Sequence, residues 1–239
     1  MKKTMPHKNL IERSPVRIFD RAIGGGLGAG NIGVVLARTG VGKTGFLIGL
    51  AIDALLQGRK VLYISTKESV EHITAFFEQI FHAMADELGM NEVPQRQLLM
   101  ERGRHILCYN REFFSLEKLE QSVSFLKETT GFSPDMVIMD GTPRFEKTEA
   151  WEIDGIRKLA REWNAEVWTS AIVHREGQDL DGRGVPTEVA RFEGDISVMI
   201  NLCPESDHIK VKIAKEHQTG SPAQVQMELD PQTLLLRWR

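Results

Sequence analysis

Cysteine is scarce in this chain of 239 residues, which contains only Cys108 and Cys203. The two lie far apart in the sequence, each inside an apolar run ("HILCYN" and "MINLCP"). A buried, reduced thiol is the usual state of such a residue, and a disulfide between the two is the alternative. The reduced state fits a cytoplasmic protein.

The chain also lacks an excess of positive charge, because 33 acidic residues outnumber 30 lysines and arginines. With a net charge of −3, the protein has no overall positive field that would attract a polyanion such as DNA. We therefore expect nucleic acid not to be a partner, although a local basic patch is compatible with the composition.

Long hydrophobic runs are missing as well. The longest, "FLIGLAIDALL", is interrupted by Asp53, and no apolar segment follows Lys2 and Lys3. A membrane-spanning helix needs about 20 consecutive apolar residues, and a secretory signal needs an apolar run close to the N-terminus. We expect a protein that is neither exported nor inserted in a membrane. The seven histidines show no zinc-binding spacing, so no zinc site is expected.

Apolar runs alternate with helical patterns along most of the sequence, which is typical of an α/β protein with a parallel sheet. The predicted strands are 32–37, 60–65, 105–110, 135–140 and 165–174. The predicted helices are a segment that ends near Gly58, then 70–88, 115–131 and 151–164. Short apolar runs near the C-terminus predict an antiparallel meander on one edge of the sheet.

Two segments fall outside this alternation. Residues 1–15 are polar and basic and contain two prolines, which indicates a flexible arm ahead of a single domain spanning 16–239. A glycine-rich connector, "IFDRAIGGGLGAGN", leads from the arm to the first strand. Residues 177–189 are polar and rich in glycine, which predicts a mobile loop.

The segment "ARTGVGKT" joins the first predicted strand to the first helix. It matches the phosphate-binding (Walker A) pattern GxxxxGK(S/T), except that Ala37 replaces the first glycine. Backbone amides and the positive end of the helix dipole favour an anion at such a turn. A plain strand-to-helix turn is the alternative. The predicted nucleotide-binding residues are Thr39, Gly40, Val41, Gly42, Lys43, Thr44 and Gly45.

A magnesium site is predicted beside this loop. The Thr44 hydroxyl is placed where loops of this kind use a Mg²⁺ ligand. Asp140 ends a buried strand farther along the chain, where a carboxylate holds the ion through water. A nucleoside triphosphate and Mg²⁺ are therefore the expected ligands.

The stretch "GGGLGAGNIGVVLARTGVGKT" resembles the opening of the RecA-like ATPases, most closely the single-domain relatives of KaiC and more distantly RadA and the DnaB-type helicases. The resemblance extends from "IFDRAIGGGL" to the C-terminal strands. It implies a RecA-like P-loop NTPase core with a mostly parallel central sheet. It also implies ATP and Mg²⁺ at Lys43, Thr44 and Asp140, and a homo-oligomer, often a hexameric ring, with active sites between subunits.

The position of the catalytic glutamate departs from the family pattern. Where relatives place a glutamate that orients the attacking water, the run "STKES" has Lys67, and Glu68 stands beside it. A charged lysine cannot act as a base, but it can hold the γ-phosphate. A one-residue shift would instead give the catalytic role to Glu68, and both interpretations stay open.

A second departure concerns the arginine finger. Relatives send a Lys-x-Arg pair from the neighbouring subunit onto the γ-phosphate, and "AKEHQTG" keeps Lys215 but has His217 in place of the arginine. Histidine is mostly neutral near pH 7 and replaces an arginine finger poorly. His174 falls near the place of a γ-phosphate sensor, and a surface histidine at a strand end is the plainer alternative.

Three functions fit these observations. The first is an ATP-binding, KaiC-like regulatory protein with slow or absent hydrolysis, favoured by both departures. The second is a DNA-dependent motor of the RadA or DnaB type. The loop that would contact DNA carries Arg183 among Asp179, Asp181 and Glu188, so it lacks a positive lining. The third is an interaction module with a vestigial nucleotide site. Whether the chain is an ATPase stays open.

Overall fold

The structure is a computed structural model that describes residues 14–174, 179–217 and 226–238. Within these ranges the chain forms nine strands that belong to one sheet. The strands are β1 (Ile32–Ala37), β2 (Val61–Ser65), β3 (Arg104–Cys108), β4 (Met136–Asp140), β5 (Glu166–Ile172), β6 (Val198–Pro204), β7 (Ile209–Glu216), β8 (Met227–Leu229) and β9 (Leu236–Trp238).

The order of strands across the sheet is β3-β2-β4-β5-β1-β6-β7-β8-β9. The six strands from β3 to β6 in this order run parallel to one another. The pairs β6–β7, β7–β8 and β8–β9 are antiparallel. This confirms the predicted α/β fold, a mostly parallel central sheet with an antiparallel C-terminal edge, which is the architecture of a RecA-like core.

Helices cover both faces of this sheet. Among the described residues, none of them is long and apolar enough to cross a membrane. The helices are α1 (Pro15–Ala22), α2 (Lys43–Leu56), α3 (Val70–Leu88), α4 (Val93–Gly103), α5 (Leu116–Thr130), α6 (Ala150–Glu162) and α7 (Thr187–Ala190), with a 3₁₀ turn at Arg111–Phe113.

Strand β1 is buried along its whole length because each face of the sheet carries a separate apolar core. Val35 packs in the core that includes α2, α3 and the C-terminal meander. Val34 and Leu36 point to the opposite face, into the core that includes α5 and α6. Burial on both faces explains why this strand is a continuous apolar run.

Three helices were not predicted: α1, α4 and the four-residue α7. Helix α1 begins inside the segment that we interpreted as arm and connector, and Ser14 caps it by accepting a hydrogen bond from the Val16 amide at 3.3 Å. Only Val16 and Phe19 of α1 are buried, too few to show a helical repeat. Helix α4 buries only Arg96 and Met100, so its sequence lacks an apolar stripe.

The predicted arm and the predicted mobile loop are described only in part. Residues 1–13 of the arm and 177–178 of the loop lie outside the described residues. In the remainder of the loop, the Asp181 carboxylate accepts hydrogen bonds from the amides of Arg183 and Val185 at 2.8 and 2.9 Å. Helix α7 then begins at Thr187, where a loop was predicted.

Strands β1 and β5 pack so closely at Gly33 that a larger side chain there should destabilise the fold. A Cβ atom added at Gly33 would lie 2.5 Å from the Trp168 ring, whereas at Gly49 of α2 it would meet nothing within 4 Å. We expect Gly33→Ala to lower the free energy of unfolding by about 1–3 kcal/mol through overpacking. Gly49→Ala should raise it by about 0.5–1 kcal/mol through helix propensity. Urea unfolding of both variants checks this, and equal stabilities would contradict it.

An ion-pair network fastens α1 to α2 at the edge of the sheet opposite the phosphate loop. Arg17 donates hydrogen bonds to Asp53 at 2.8 Å and to Asp20 at 3.2 Å. Burial raises the pKa of the Asp20 carboxyl to about 6, partly opposed by Arg17 and reinforced by the negative charges of Asp53 and Glu166. Ionisation of Asp20 at neutral pH therefore lowers the free energy of unfolding.

The raised pKa of Asp20 predicts how stability depends on pH. Because the folded state binds the proton more tightly, the contribution of Asp20 to the free energy of unfolding falls as pH rises from 3.8 to about 6. Asp20→Asn should therefore raise the free energy of unfolding at pH 7 by up to about 3 kcal/mol. The gain should shrink as pH falls towards 4. Denaturant titrations across this range, with the exposed Asp154→Asn as control, would refute it if the gain were independent of pH.

Candidate phosphate-binding site

The loop between β1 and α2 presents an uncompensated helix N-terminus. Gly42 precedes α2 with φ of 104°, a left-handed conformation that a glycine adopts without strain. The first turn of α2 contains no acidic residue. Its free amides and dipole therefore face the space above the loop with a net positive potential, which favours an anion there.

The glycines of this loop are also required by packing. A Cβ atom at Gly45 would lie 2.6 Å from the Leu234 side chain, and one at Gly42 would lie 3.0 Å from Leu229. Both leucines belong to the C-terminal meander or its last turn. Gly45, which we predicted as a nucleotide-binding residue, is thus needed where α2 meets the meander.

Lys43 closes over the loop that precedes it. Its ammonium donates hydrogen bonds to the carbonyl oxygens of Ala37 and Arg38 at 2.9 and 3.0 Å. Burial, and after it the neighbouring charge of Lys67, lowers the pKa of Lys43 to about 8 against the opposing effect of Asp140. An anion that entered the loop would face this poorly solvated ammonium directly.

The Asp140 carboxylate is fully buried at the end of β4 and is held by three hydroxyl groups. Thr44 Oγ1 donates to Asp140 Oδ2 at 2.7 Å, and Tyr63 donates to the same oxygen at 3.3 Å. Ser170 Oγ donates to Oδ1 at 2.8 Å. Burial, followed by the charge of Asp140, raises the pKa of Tyr63 well above its ordinary value. The structure therefore brings together Thr44 and Asp140, the two residues predicted to hold magnesium.

Lys67 and Glu68 point in different directions after β2. Lys67 Nζ lies 3.8 Å from Asp140 Oδ1, inside the site. The Glu68 side chain is 45% exposed and lies 3.9 Å from His72 Nε2, on the surface of α3. Ser65 Oγ accepts hydrogen bonds from the amides of both residues, which fixes this turn. Lys67, not Glu68, is thus adjacent to the buried carboxylate.

A cleft of about 170 Å³ continues from this point between the ends of β4 and β5. Its lining includes Lys67, Ser170 and His174. His174 Nε2 lies 3.5 Å from Glu146 Oε1, and the His174 side chain is half exposed. The predicted sensor therefore lies in the same cleft as Lys67, with a carboxylate beside it.

Lys215 lies far from these residues within the chain. It pairs with Met199 near the start of β6, at the edge of the sheet opposite the ends of β1 and β4. Its ammonium donates hydrogen bonds to the carbonyl oxygens of Glu193 and, at 2.6 Å, Ile196, and burial lowers its pKa. His217 Nε2 lies 3.0 Å from the Gly26 carbonyl oxygen. Neither residue can reach a phosphate bound at the loop of its own chain.

Two residues of the site escaped the sequence analysis. Tyr63 and Ser170 lie inside buried strands, where a polar side chain needs a partner. For Ser170, the available signal was the pair of polar residues Thr169 and Ser170 in the middle of a strand. Only the fold shows that Asp140 is the partner of Tyr63 and Ser170.

Curated proteins that this chain resembles include two proteins of DNA repair. The DNA repair and recombination protein RadB of Methanothermobacter thermautotrophicus is 32% identical over 124 residues, covering 51% of this chain and 46% of RadB. The DNA repair protein RadA of Campylobacter jejuni is 27% identical over 188 residues, covering 77% of this chain and 38% of RadA. The chain thus spans less than half of the length of these relatives. No family model matches it.

These similarities support the RecA-like fold. The finer resemblance to KaiC is not confirmed by them and stays a prediction. The expectation that nucleic acid is not a partner gains no support, since both relatives are named for DNA repair.

Proposed function

We propose that this protein binds ATP with Mg²⁺ at the loop between β1 and α2 and hydrolyses it slowly or not at all. The proposal rests on the orientation of two side chains in the turn after β2. The Lys67 side chain faces Asp140, and the Glu68 side chain faces the surface. Similarity to RadB and RadA supports a RecA-like ATPase as the framework.

Binding follows from the loop and Lys43. The amides of the first turn of α2 are available to the phosphate oxygens. Lys43 would exchange its two carbonyl acceptors for charged phosphate oxygens, and hydrogen bonds between charged groups are the stronger ones. The predicted residues Thr39, Gly40 and Val41 complete the loop around the phosphates.

The chemistry of Thr44 and Asp140 fits Mg²⁺, which prefers hard oxygen ligands. Their oxygens lie 2.7 Å apart, on the carboxyl side of the sheet beside the loop. Mg²⁺, when bound, would neutralise part of the phosphate charge there. Thr44 would ligate the ion directly and Asp140 through water.

Slow hydrolysis follows from the presence of the Lys67 ammonium, rather than a carboxylate, next to Asp140. An ammonium has no acceptor for the proton of an attacking water, so Lys67 would hold the γ-phosphate rather than activate the nucleophile. A positioned general base contributes about 10²–10⁴-fold to rate, and that contribution is missing. A site that binds but does not cleave keeps its ligand, which suits a regulatory, KaiC-like role.

A DNA-dependent motor is the second candidate; the two relatives are named for DNA repair, and those names do not favour a motor over the first candidate. Against it, Arg183 is engaged by the Glu193 carboxylate at 2.5 and 3.0 Å and is not available to phosphate without breaking that pair. Salt-dependent binding of single-stranded DNA would favour this candidate. In either case, Lys215 would serve only the site of a neighbouring subunit in a ring.

The proposal is tested by measuring ATP binding by calorimetry and phosphate release on the same preparation with Mg²⁺. We expect binding by the wild type, its loss in Lys43→Met, and turnover far below about 1 s⁻¹, the lower end of ordinary enzymes. Lys67→Glu restores a carboxylate beside Asp140 and should raise phosphate release about tenfold or more.

Glu68→Gln is the matched control, because it neutralises the neighbouring carboxylate without altering Lys67. It should leave both binding and phosphate release unchanged. Brisk turnover of the wild type that Glu68→Gln abolishes would show that Glu68 is the base and would refute the proposal. Absence of ATP binding would favour the interaction module with a vestigial site.

A further inference from the structure

The Asp140 carboxylate lies between the hydroxyl of Thr44 and the ammonium of Lys67. Its Oδ2 atom accepts from Thr44, the predicted ligand of magnesium, at 2.7 Å. Its Oδ1 atom lies 3.8 Å from the Lys67 ammonium, on the other side of the same carboxylate. A divalent ion held by Thr44 and Asp140 would therefore lie close to a fixed positive charge and be repelled by it.

The position of Lys67 is built into the backbone. Gly141 follows Asp140 with φ of +90°, and a Cβ atom there would lie 2.8 Å from Lys67 Cε and 2.9 Å from Thr66 Oγ1. The aliphatic part of Lys67 thus lies across a residue that has no side chain. The Lys67 side chain is 28% exposed, and its ammonium lies 3.8 Å from Asp140 Oδ1.

The charge of the site differs from that of a site with the expected glutamate. Replacing a carboxylate by an ammonium changes the local charge by two units in the direction that favours an anion. Lys43 provides a second ammonium, which lies at the loop and donates hydrogen bonds to the carbonyl oxygens of Ala37 and Arg38. Two lysines and the loop amides then face a triphosphate, with Asp140 as the opposing charge.

We propose that Lys67 supplies the charge that a divalent ion otherwise provides, so that this site binds a nucleoside triphosphate nearly as well without Mg²⁺ as with it. The inference rests on the proposed nucleotide-binding function and adds that the site accepts the triphosphate without a bound metal ion. Lys67 acts on the terminal phosphate, so a nucleoside diphosphate does not benefit. Lys67 is therefore a specificity-determining residue that distinguishes ATP from ADP in the absence of metal.

The test measures dissociation constants for ATP and ADP by calorimetry, once with Mg²⁺ and once with EDTA. For the wild type we expect the ATP affinities in the two buffers to agree within about threefold. Lys67→Met should weaken ATP binding in EDTA by about 10- to 100-fold, the worth of one hydrogen bond to a charged group. Its ADP affinity in EDTA should not change.

Two further variants separate charge from structure. Lys67→Arg keeps the positive charge and should retain metal-independent binding of ATP. Lys158→Met removes an exposed lysine on α6 and should behave as the wild type, which controls for the net charge of the protein. Thermal unfolding of each variant without ligand confirms that it is folded.

The outcomes distinguish the two proposals. If ATP binds with Mg²⁺ but wild type and Lys67→Met lose affinity equally in EDTA, the inference is overturned and the proposed function stands. If ATP binds in neither buffer, the proposed function fails, and the inference fails with it. If Lys67→Met weakened ADP binding as strongly as ATP binding, the proposed contact of Lys67 with the terminal phosphate would be wrong.

Discussion

The burial of one carboxylate organises the carboxyl edge of the sheet. Asp140 has no contact with solvent, and a buried charge is tolerated only where donors surround it. Three donors come from three elements: Thr44 from α2, Tyr63 from β2 and Ser170 from β5. Helix α2 must therefore begin where its first turn meets β4, and this requirement places the phosphate loop beside the buried charge.

Strands β1, β2 and β4 were predictable because they are buried on two faces and so form short continuous apolar runs, as in "IGVVLA" and "MVIMD". Strand β6 was predicted as part of the antiparallel meander, but it pairs parallel to β1. Helix α1 was not predictable in this way. It is held by contacts distant in sequence, the edge-on packing of Phe19 against Phe46 and the pair of Arg17 with Asp53. Such contacts leave no periodic pattern in eight residues.

Although its nucleotide-binding role stays a prediction, the position of the candidate loop was predictable, because the spacing of Gly42, Lys43 and Thr44 within one turn of chain is itself the signal. The direction of Lys67 was not. It depends on the turn after β2, where the Ser65 hydroxyl accepts two successive amides. If this turn were shifted by one residue, Glu68 would take the place of Lys67 beside Asp140. The residue types alone do not determine which of the two arrangements forms.

The contact between Leu234 and Gly45 means that substitutions in the C-terminal meander and in the first turn of α2 affect each other. A Cβ atom at 45 would lie 2.6 Å from Cδ1 and 2.9 Å from Cβ of Leu234, so an alanine at 45 requires the turn around 234 to shift as well as a smaller side chain there. Sequence drift in the C-terminal meander is thereby constrained by a loop nearly two hundred positions upstream, and the two sites should covary among homologues.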